Sequence, residues 1–421
     1  MTKAQPSTVL DQLKRIGPGL IMACVVIGPG SILTSSKLGA EHGYGMLWIV
    51  PVALVFMLTY VTLGAKLGLV LRQSPGSLLT KEVGRWLAIL IGLCVYFIAS
   101  AFQFGNNLGV HSAFAPLLKD KPLWLSDVLL IGMNSLALLF LFAMKNVYKA
   151  LERLMAVFVA LMLIAFAANL IAARPHVGKL ILGLIGLGLK PGTKLDISIV
   201  GLMGTTFVIA IAYYQAYLVQ QKGWTEAQFK SGLLDSRVGS IILACLTLMI
   251  MSTAGTVLQL SKDQQLDLPA VAKQLSSLFG GLGTPIFCVG LFCAAYSSFI
   301  VNSMVGGFVL CDGLGLGSKP TERAPKLFTA SVMIAGMVVA LFTIHSGEKP
   351  LPAIVFGQAV TVLASPLLAI VILWLTNRRD LMGSHRNGFI TNVLASLGLC
   401  VLLVMASYTA VAKVWPAIRP K

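Results

Sequence analysis

The chain has 421 residues, of which 57% are hydrophobic and 11% are charged, and its formal net charge is +17. Its mean hydropathy of +0.87 excludes a water-soluble globular protein, because a soluble core cannot bury that much apolar sequence. The positive charge does not indicate nucleic-acid binding, since no basic stretch is interleaved with aromatic residues. We therefore predict an all-α polytopic membrane protein with a single transmembrane domain over residues 1–421.

Apolar stretches long enough to cross a bilayer, roughly 20 residues each, recur along the whole chain. They predict about eleven spans, over residues 17–40, 45–70, 88–116, 123–144, 151–172, 196–219, 236–258, 284–310, 327–344, 351–375 and 388–412. Acidic residues are scarce inside these spans, which argues against a simple proton relay of carboxylates.

The loops between the spans predict the orientation of the chain. With the N-terminus in the cytoplasm, about 18 basic residues lie on the cytoplasmic side and about 12 lie outside, as the positive-inside rule requires. An odd number of spans then puts the C-terminus outside. We expect a multi-pass protein of the cell inner (plasma) membrane, with the lipid bilayer as its surroundings.

The first span contains a feature that a continuous membrane helix should not have. In the stretch VVIGPGSILTSSKLG, Val25 to Gly39, the run Gly28-Pro29-Gly30 interrupts the helix, because proline lacks an N–H and glycine permits open backbone angles. Free backbone groups at membrane depth are tolerated where they line a cavity. The half-helix that begins near Ser31 directs its positive dipole end at that cavity, which favours an anion.

Several stretches of the sequence resemble the Nramp family of divalent-metal transporters. GPGLIMACVVIGPGSILTSSKLGAEHGYGMLW, Gly17 to Trp48, is similar to that family's first helix and the segment after it, and Tyr148 to Pro175 is similar to its fifth helix. AAYSSFIVNSMVGGFVL, Ala294 to Leu310, is similar to the eighth helix, and TNRRDLMG, Thr376 to Gly383, is similar to the loop after the tenth.

The resemblance implies the LeuT-type fold, with two inverted five-helix repeats and an eleventh helix. The repeats would cover about residues 17–172 and 196–375, and the extra helix about residues 388–412. It also implies that the first and sixth helices are unwound at the substrate site. The residues of the sixth span do not themselves predict a break, because no proline occurs there and no glycine lies between Gly204 and Lys222.

The positions that bind metal in the family carry other residues in this chain. Where the family has Asp-Pro-Gly-Asn in its first helix, this chain has Gly28-Pro29-Gly30-Ser31, and where it has Met-Pro-His in its sixth helix, Val208 and Ala210 flank Ile209. The family's second histidine in that helix corresponds to Gln215. Its acidic pair in helix three falls within residues 99–109, which contain no acid. We therefore predict no metal ligands and a changed substrate.

The candidate substrate-binding residues lie at the two expected breaks and on the helices that face them. They are Gly28, Pro29, Gly30, Ser31, Thr34, Lys37, Thr205, Thr206, Val208, Ala210, Tyr214, Gln215 and Gln358. Some have other interpretations, since the hydroxyls of Ser31 and Thr34 can bond to their own helix and Lys37 can extend to the membrane surface. Ser297 and Ser298 match helix-eight hydroxyls that hold Na⁺ in some LeuT-fold carriers, although they can also be purely structural.

Our leading hypothesis is a secondary transporter that carries a small anion, bicarbonate or a short carboxylate, by alternating access. The alternatives are a divalent metal ion, as Mn²⁺ or hydrated Mg²⁺, and an amino acid whose carboxylate would take the same half-helix. A membrane sensor is disfavoured because no signalling domain is visible, and an enzyme because no nucleophile–base set is visible. We expect no cofactor, coupling to Na⁺ or H⁺, and no nucleic-acid partner.

Overall fold

The computed structural model describes residues 28–71, 73–118, 120–143, 163–188, 195–223, 225–258, 266, 268–272, 280–319 and 322–415. This part of the chain is helical and contains no strand. Nine of its helices or helix pairs are long and apolar enough to cross a membrane. The prediction of an all-α polytopic protein is confirmed for this part of the chain.

The helices follow one another in this order: α1 Pro29–His42, α2 Ile49–Val70, α3 Pro75–Glu82, α4 Arg85–Leu118, α5 Trp124–Ala143, α6 Leu163–Ala173, α7 Val177–Leu184, α8 Ile197–Thr206, α9 Ile209–Lys222, α10 Glu226–Val257, α11 Leu268–Ala272, α12 Gly283–Gly313, α13 Arg323–His345, α14 Pro350–Val360, α15 Ser365–Asn377, α16 Arg379–Met382 and α17 Phe389–Thr409. A 3₁₀ turn, Thr361–Leu363, separates α14 from α15.

The predicted spans match these helices to within a few residues at most ends, with three kinds of exception. Parts of the first and fifth spans, residues 17–27 and 151–162, lie outside the described residues. The tenth span is two helices separated by a 3₁₀ turn. Short helices that the spans did not predict lie in the connections: α3, α7, α11 and α16.

The sixth span is also interrupted, as the family resemblance implied and as its own residues did not predict. Phe207 (φ −106°, ψ 72°) and Val208 (φ −90°, ψ 91°) separate α8 from α9 with ordinary negative φ angles. The buried Phe207 ring packs against Phe56 and Tyr60 of α2, with centroid distances of 5.6 and 5.5 Å. Tertiary packing of this ring therefore holds a break that neither proline nor glycine enforces.

The start of α1 lies in the interior of the helix bundle. Residues Gly28 to Ser31 are all buried, and the helix contacts α4, α8, α10, α12 and α14. The ring of Pro29 lies against Gly109 of α4, where a Cβ atom would overlap the Pro29 ring carbons. A small residue in α4 therefore lets the start of α1 approach α4 closely.

Candidate functional site

The start of α1 is a helix N-terminus without a side-chain cap. Gly28 is the N-cap residue in extended conformation (φ −106°, ψ −179°), and Pro29 is the first helical residue. The carbonyl of Gly28 accepts hydrogen bonds from the N–H groups of Ser31 (3.1 Å) and Ile32 (3.3 Å). Gly30 lies in the first turn, where a helix N–H group has no acceptor within its own helix. A buried helix end of this kind needs a partner other than its own helix.

Amide and hydroxyl side chains surround Gly28. A Cβ atom at this position would lie 3.0 Å from Oδ1 of Asn106 on α4 and 3.5 Å from Oγ of Ser298 on α12. The Nδ2 of Asn106 donates to Oε1 of Gln103 at 3.3 Å, and Asn107 donates to the Gln103 carbonyl at 2.9 Å. The immediate neighbours of the break are therefore polar but carry no charge.

Gln358 approaches the break from α14. A Cβ atom at Gly30 or at Gly105 would overlap its side chain, and its backbone carbonyl faces Gly204 of α8. Its Oε1 is buried and accepts no hydrogen bond from the part of the chain that the structure describes. Gln358 therefore lies among α1, α4 and α8, and its Oε1 can accept a hydrogen bond.

We call Gly28–Ser31, Asn106, Ser298 and Gln358 together the break site.

The second break adds another helix N-terminus. Val208 caps α9 without a side-chain hydrogen bond, and its carbonyl accepts from Ile211 (3.2 Å) and Ala212 (3.4 Å). Val208, Ile209 and Ala210 are all buried. Immediately before them, α8 ends at the buried residue Thr206, and its last carbonyls present the negative end of a helix dipole. The neighbourhood of the breaks therefore offers backbone groups of both signs.

The remaining candidates of the first helix lie along α1. The hydroxyl of Thr34 is buried without a hydrogen-bond partner among the described residues, and its methyl group faces Gly201 of α8. Ser31 is also buried. Lys37 lies about 9 Å beyond Ser31 at the helical rise of about 1.5 Å per residue, and its Nζ pairs with Oε1 of Glu41 at 3.8 Å. Lys37 is thus at the far part of α1 and not at the break.

Several predicted residues of the sixth and eighth spans make contacts away from the break. Tyr214 stacks on Tyr217 (5.8 Å between centroids), and Gln215 donates to Ser236 of α10 at 2.7 Å. Thr205 donates to the carbonyl of Leu202 within its own helix at 3.0 Å. Ser297 likewise donates to the carbonyl of Ala294 at 3.1 Å, so Ser298 is the member of that pair beside α1.

Across the described residues, the buried polar side chains are neutral with one exception, Asp312. This carboxylate accepts hydrogen bonds from Ser74, Gly76 and Tyr217, outside the break site. The break site itself contains no acid or base. A buried neutral amide that the sequence analysis missed, Asn134 of α5, extends the network by donating to Asn107 at 2.6 Å; its position within an apolar span was the signal that it packs inward.

The break between α8 and α9, and the start of α1 in the interior of the bundle, agree with a family match over most of the chain. The sequence model of the family described as natural resistance-associated macrophage protein-like matches residues 19–412. The chain belongs to the Nramp family. The resemblance stated from the motifs is thereby confirmed, and the chain is a membrane transporter and not an enzyme.

Nramp proteins of bacteria and plants are similar to this chain along nearly its whole length. The divalent metal cation transporter MntH of Aeromonas hydrophila is 25% identical over 412 residues, covering 96% of this chain and 97% of the relative. The metal transporter Nramp1 of Oryza sativa subsp. japonica is 26% identical over 392 residues, covering 89% of this chain and 74% of the relative.

Solved structures support the same fold for this Nramp chain. The manganese transporter of Eremococcus coleocola, in complex with an aromatic bis-isothiourea substituted compound, is similar with a TM-score of 0.80 at 17% identity, covering 100% of this chain and 91% of that chain. Mhp1, a nucleobase-cation-symport-1 family transporter, is similar with a TM-score of 0.52 at 14% identity, covering 92% of this chain and 90% of that chain. The predicted LeuT-type fold class is confirmed.

Proposed function

We propose that this Nramp-family transporter carries a small anion, bicarbonate or a short carboxylate, through the break site by alternating access. The observation that carries the proposal is the buried, uncapped N-terminus of α1 with neutral amide and hydroxyl side chains around it. Helix N-termini attract anions through their free N–H groups and the positive end of the dipole. An acidic residue at position 28 would oppose an anion, and this chain has glycine there.

The side chains of the break site offer the hydrogen bonds that a compact anion needs. Nε2 of Gln358 lies beside Gly30 and can donate, and Ser298 can donate through its hydroxyl, whereas Asn106 presents its Oδ1 because its Nδ2 donates to Gln103. A second N-terminus without a side-chain cap, that of α9, begins five residues after Gly204, where an added Cβ atom would overlap the backbone carbonyl of Gln358. Within the described core, no arginine is buried, which disfavours large di- or tricarboxylates that need a bidentate clamp.

A divalent metal ion is the second candidate cargo, and the comparisons favour it over the anion. The relatives named above are described as a divalent metal cation transporter, a metal transporter and a manganese transporter. A hydrated ion such as Mg²⁺ keeps several of its waters and could use the oxygens of Asn106, Ser298 and Gln358. The carbonyl end of α8 would also suit a cation, or the ammonium group of an amino acid. The proposal of an anion is supported by the break-site residues alone.

The proposed function also includes a coupling ion, for which we favour Na⁺, and an orientation in the membrane. Ser298 lies beside α1, where a helix-eight hydroxyl could contribute to a Na⁺ site, whereas the hydroxyl of Ser297 is used within its own helix. The sequence offers H⁺ coupling less support, because the break site has no titratable side chain. We infer a plasma-membrane transporter with a cytoplasmic N-terminus and an external C-terminus, from the distribution of basic residues.

The substitution Gly28→Asp separates the two cargoes. Its Cβ atom would lie 3.0 Å from Oδ1 of Asn106, which puts the carboxylate beside the N-terminus of α1. Repulsion between unit charges about 4 Å apart amounts to several kcal/mol at an effective dielectric constant near 20. We therefore expect anion uptake into proteoliposomes, measured with labelled bicarbonate at alkaline pH, to fall by more than about 10-fold.

Gly28→Asn is the matched control, because it adds the same number of heavy atoms without the charge. It should retain clearly more anion uptake than Gly28→Asp. Equal loss in both variants would mean that volume, not charge, determines the effect. If Gly28→Asp kept its anion uptake, or if Mn²⁺ uptake were present in the wild type and rose in this variant, the anion proposal would fail and the metal would take its place.

A further inference from the structure

Three metal-ligating side chains meet at the far end of α1, away from the break site. Glu41 and His42 end this helix, and Asp196 precedes α8. One ligand atom from each, two carboxylate oxygens and an imidazole nitrogen, lie within 4.8 Å of one another. His42 is thirteen residues beyond Pro29, about 20 Å along the helix axis. This cluster, which we call the mouth cluster, is therefore separate from the break site.

The fold holds the members of the mouth cluster in place. Oδ1 of Asp196 accepts hydrogen bonds from the N–H groups of Ser198 (2.8 Å) and Ile199 (2.9 Å), which leaves Oδ2 to face Nε2 of His42 at 3.3 Å. Oε2 of Glu41 accepts from the Ser198 hydroxyl at 3.3 Å. The same capping turn therefore orients both carboxylates towards one point.

The segment after His42 is anchored as well. The N–H of Gly43 donates to the carbonyl of Gly39 at 2.8 Å and ends α1, with Gly43 at a positive φ of 59°. Next to it, the hydroxyl of Tyr44 bonds to Thr256 of α10 at 2.7 Å. A His position fixed on both sides loses little conformational freedom when it binds a ligand.

We propose that the mouth cluster is a binding site for a divalent transition-metal ion, formed by Glu41, His42 and Asp196. One imidazole nitrogen and two carboxylate oxygens are a ligand set that suits Zn²⁺ and its first-row neighbours, with water completing the coordination. The bound ion joins the end of α1 to the start of α8. With the inferred orientation the site faces the outside, and it is separate from the substrate site, for which the sequence predicts no metal ligands.

Lys37 is the positive group that opposes a metal ion at this site. Its Nζ lies 3.8 Å from Oε1 of Glu41 and must give way when that carboxylate binds a metal. Replacing it with glutamine removes the competing charge without touching the three ligands. Lys37→Gln should therefore bind Zn²⁺ about 2- to 5-fold more tightly, the change expected from loss of a partly exposed ion pair.

The test is Zn²⁺ binding to the purified full-length protein, measured by isothermal titration calorimetry, with Co²⁺ absorption as a second readout. Glu41→Gln, His42→Gln and Asp196→Asn should each weaken binding by at least about 10-fold. Asp196→Asn keeps a good helix cap, so its effect would not arise from unfolding of α8. His345→Gln is the matched control, because His345 and Asp127 form an ordinary two-residue pair at 3.6 Å.

The outcomes separate this site from the break site. Weaker binding in the three ligand variants, unchanged binding in His345→Gln and Gln358→Ala, and tighter binding in Lys37→Gln would support the mouth cluster. The proposal would be overturned if the wild-type protein bound no Zn²⁺, or if the three ligand variants bound Zn²⁺ with the same affinity as the wild-type protein. Loss of binding in Gln358→Ala with the ligand variants unaffected would assign the metal to the break site instead.

Discussion

Lys37 is the basic residue of α1 closest in sequence to the break site, and its position decides what it can do there. It lies about 9 Å along the helix from Ser31, and its ammonium group forms an ion pair with the carboxylate of Glu41. A unit charge at that distance changes the energy of an ion at the break by about 0.5–1 kcal/mol in a partly hydrated vestibule. Lys37 can therefore attract an anion towards the site without contacting it.

For this single residue we predict that Lys37→Gln raises the KM for anion uptake by about 2- to 5-fold and leaves kcat nearly unchanged. The effect should become smaller at high ionic strength, because salt screens the field of the lysine. Uptake kinetics in proteoliposomes at two salt concentrations measure both quantities. The control is Lys179→Gln, which removes an exposed positive charge on α7. If the two variants behave alike, Lys37 has no specific part in attracting the anion.

Some residues of the two candidate sites could be predicted from the sequence, and others could not. Gly28 to Ser31 could be predicted because Gly-Pro-Gly is a strong local signal in an apolar span, and Gln358 because the family resemblance pointed to it. The mouth cluster could not be predicted, since Asp196 is 154 residues from His42 along the chain. Only the packing of α8 beside α1 brings them together.

Several helices meet at Asp312, near the end of α12. This carboxylate accepts hydrogen bonds from the Tyr217 hydroxyl of α9 (2.7 Å), from Ser74 (2.5 Å) and from the N–H of Gly76 in α3 (2.8 Å). With the inferred orientation, this junction lies at the cytoplasmic ends of these helices. It links α9, the second half of the sixth span, to α3 and α12, and we expect these bonds to favour a state in which these helix ends stay together.

At the scale of the elements we predict that Tyr217→Phe loosens this junction. A hydrogen bond to a charged group contributes about 1.5–3 kcal/mol, so its loss should populate the state that is open on this side. Cys311 is buried next to Asp312 and reports the opening: its alkylation by a maleimide, resolved by mass spectrometry, should become faster. Tyr96→Phe, which removes the bond to Ser331 (3.0 Å), is the control. Equal labelling rates in wild type and Tyr217→Phe would contradict the closed-junction interpretation.

The helices themselves show what the sequence could and could not predict. The approximate ends of the nine described membrane-spanning segments followed from apolar length, because a bilayer imposes that length, whereas the predicted total of eleven includes segments outside the described residues. The break in the sixth span did not, since it depends on the Phe207 ring packing against α2. The short helix α3 was also missed, although Ser74 followed by Pro75 is a typical helix start and Ser74 does cap Ser77.

On the scale of the whole molecule, the fold and the break site support different cargoes. The chain is an Nramp transporter by its family match, and its relatives are described as metal transporters. At the break, however, the described residues present helix N-termini and neutral side chains, and the buried Asp312 lies elsewhere. We propose that this chain keeps the Nramp fold while its break site carries a small anion in place of a metal ion.

The measurement that tests this claim most directly is Mn²⁺ uptake into proteoliposomes that contain the purified protein and a trapped quenchable fluorophore. A metal-transporting relative, such as MntH of Aeromonas hydrophila, is the control in the same lipid. We predict no Mn²⁺ uptake beside an active control, together with uptake of labelled bicarbonate or a short carboxylate in the same vesicles. Mn²⁺ uptake that matches the control would contradict the claim, because amide, hydroxyl and backbone groups would then suffice to carry the metal.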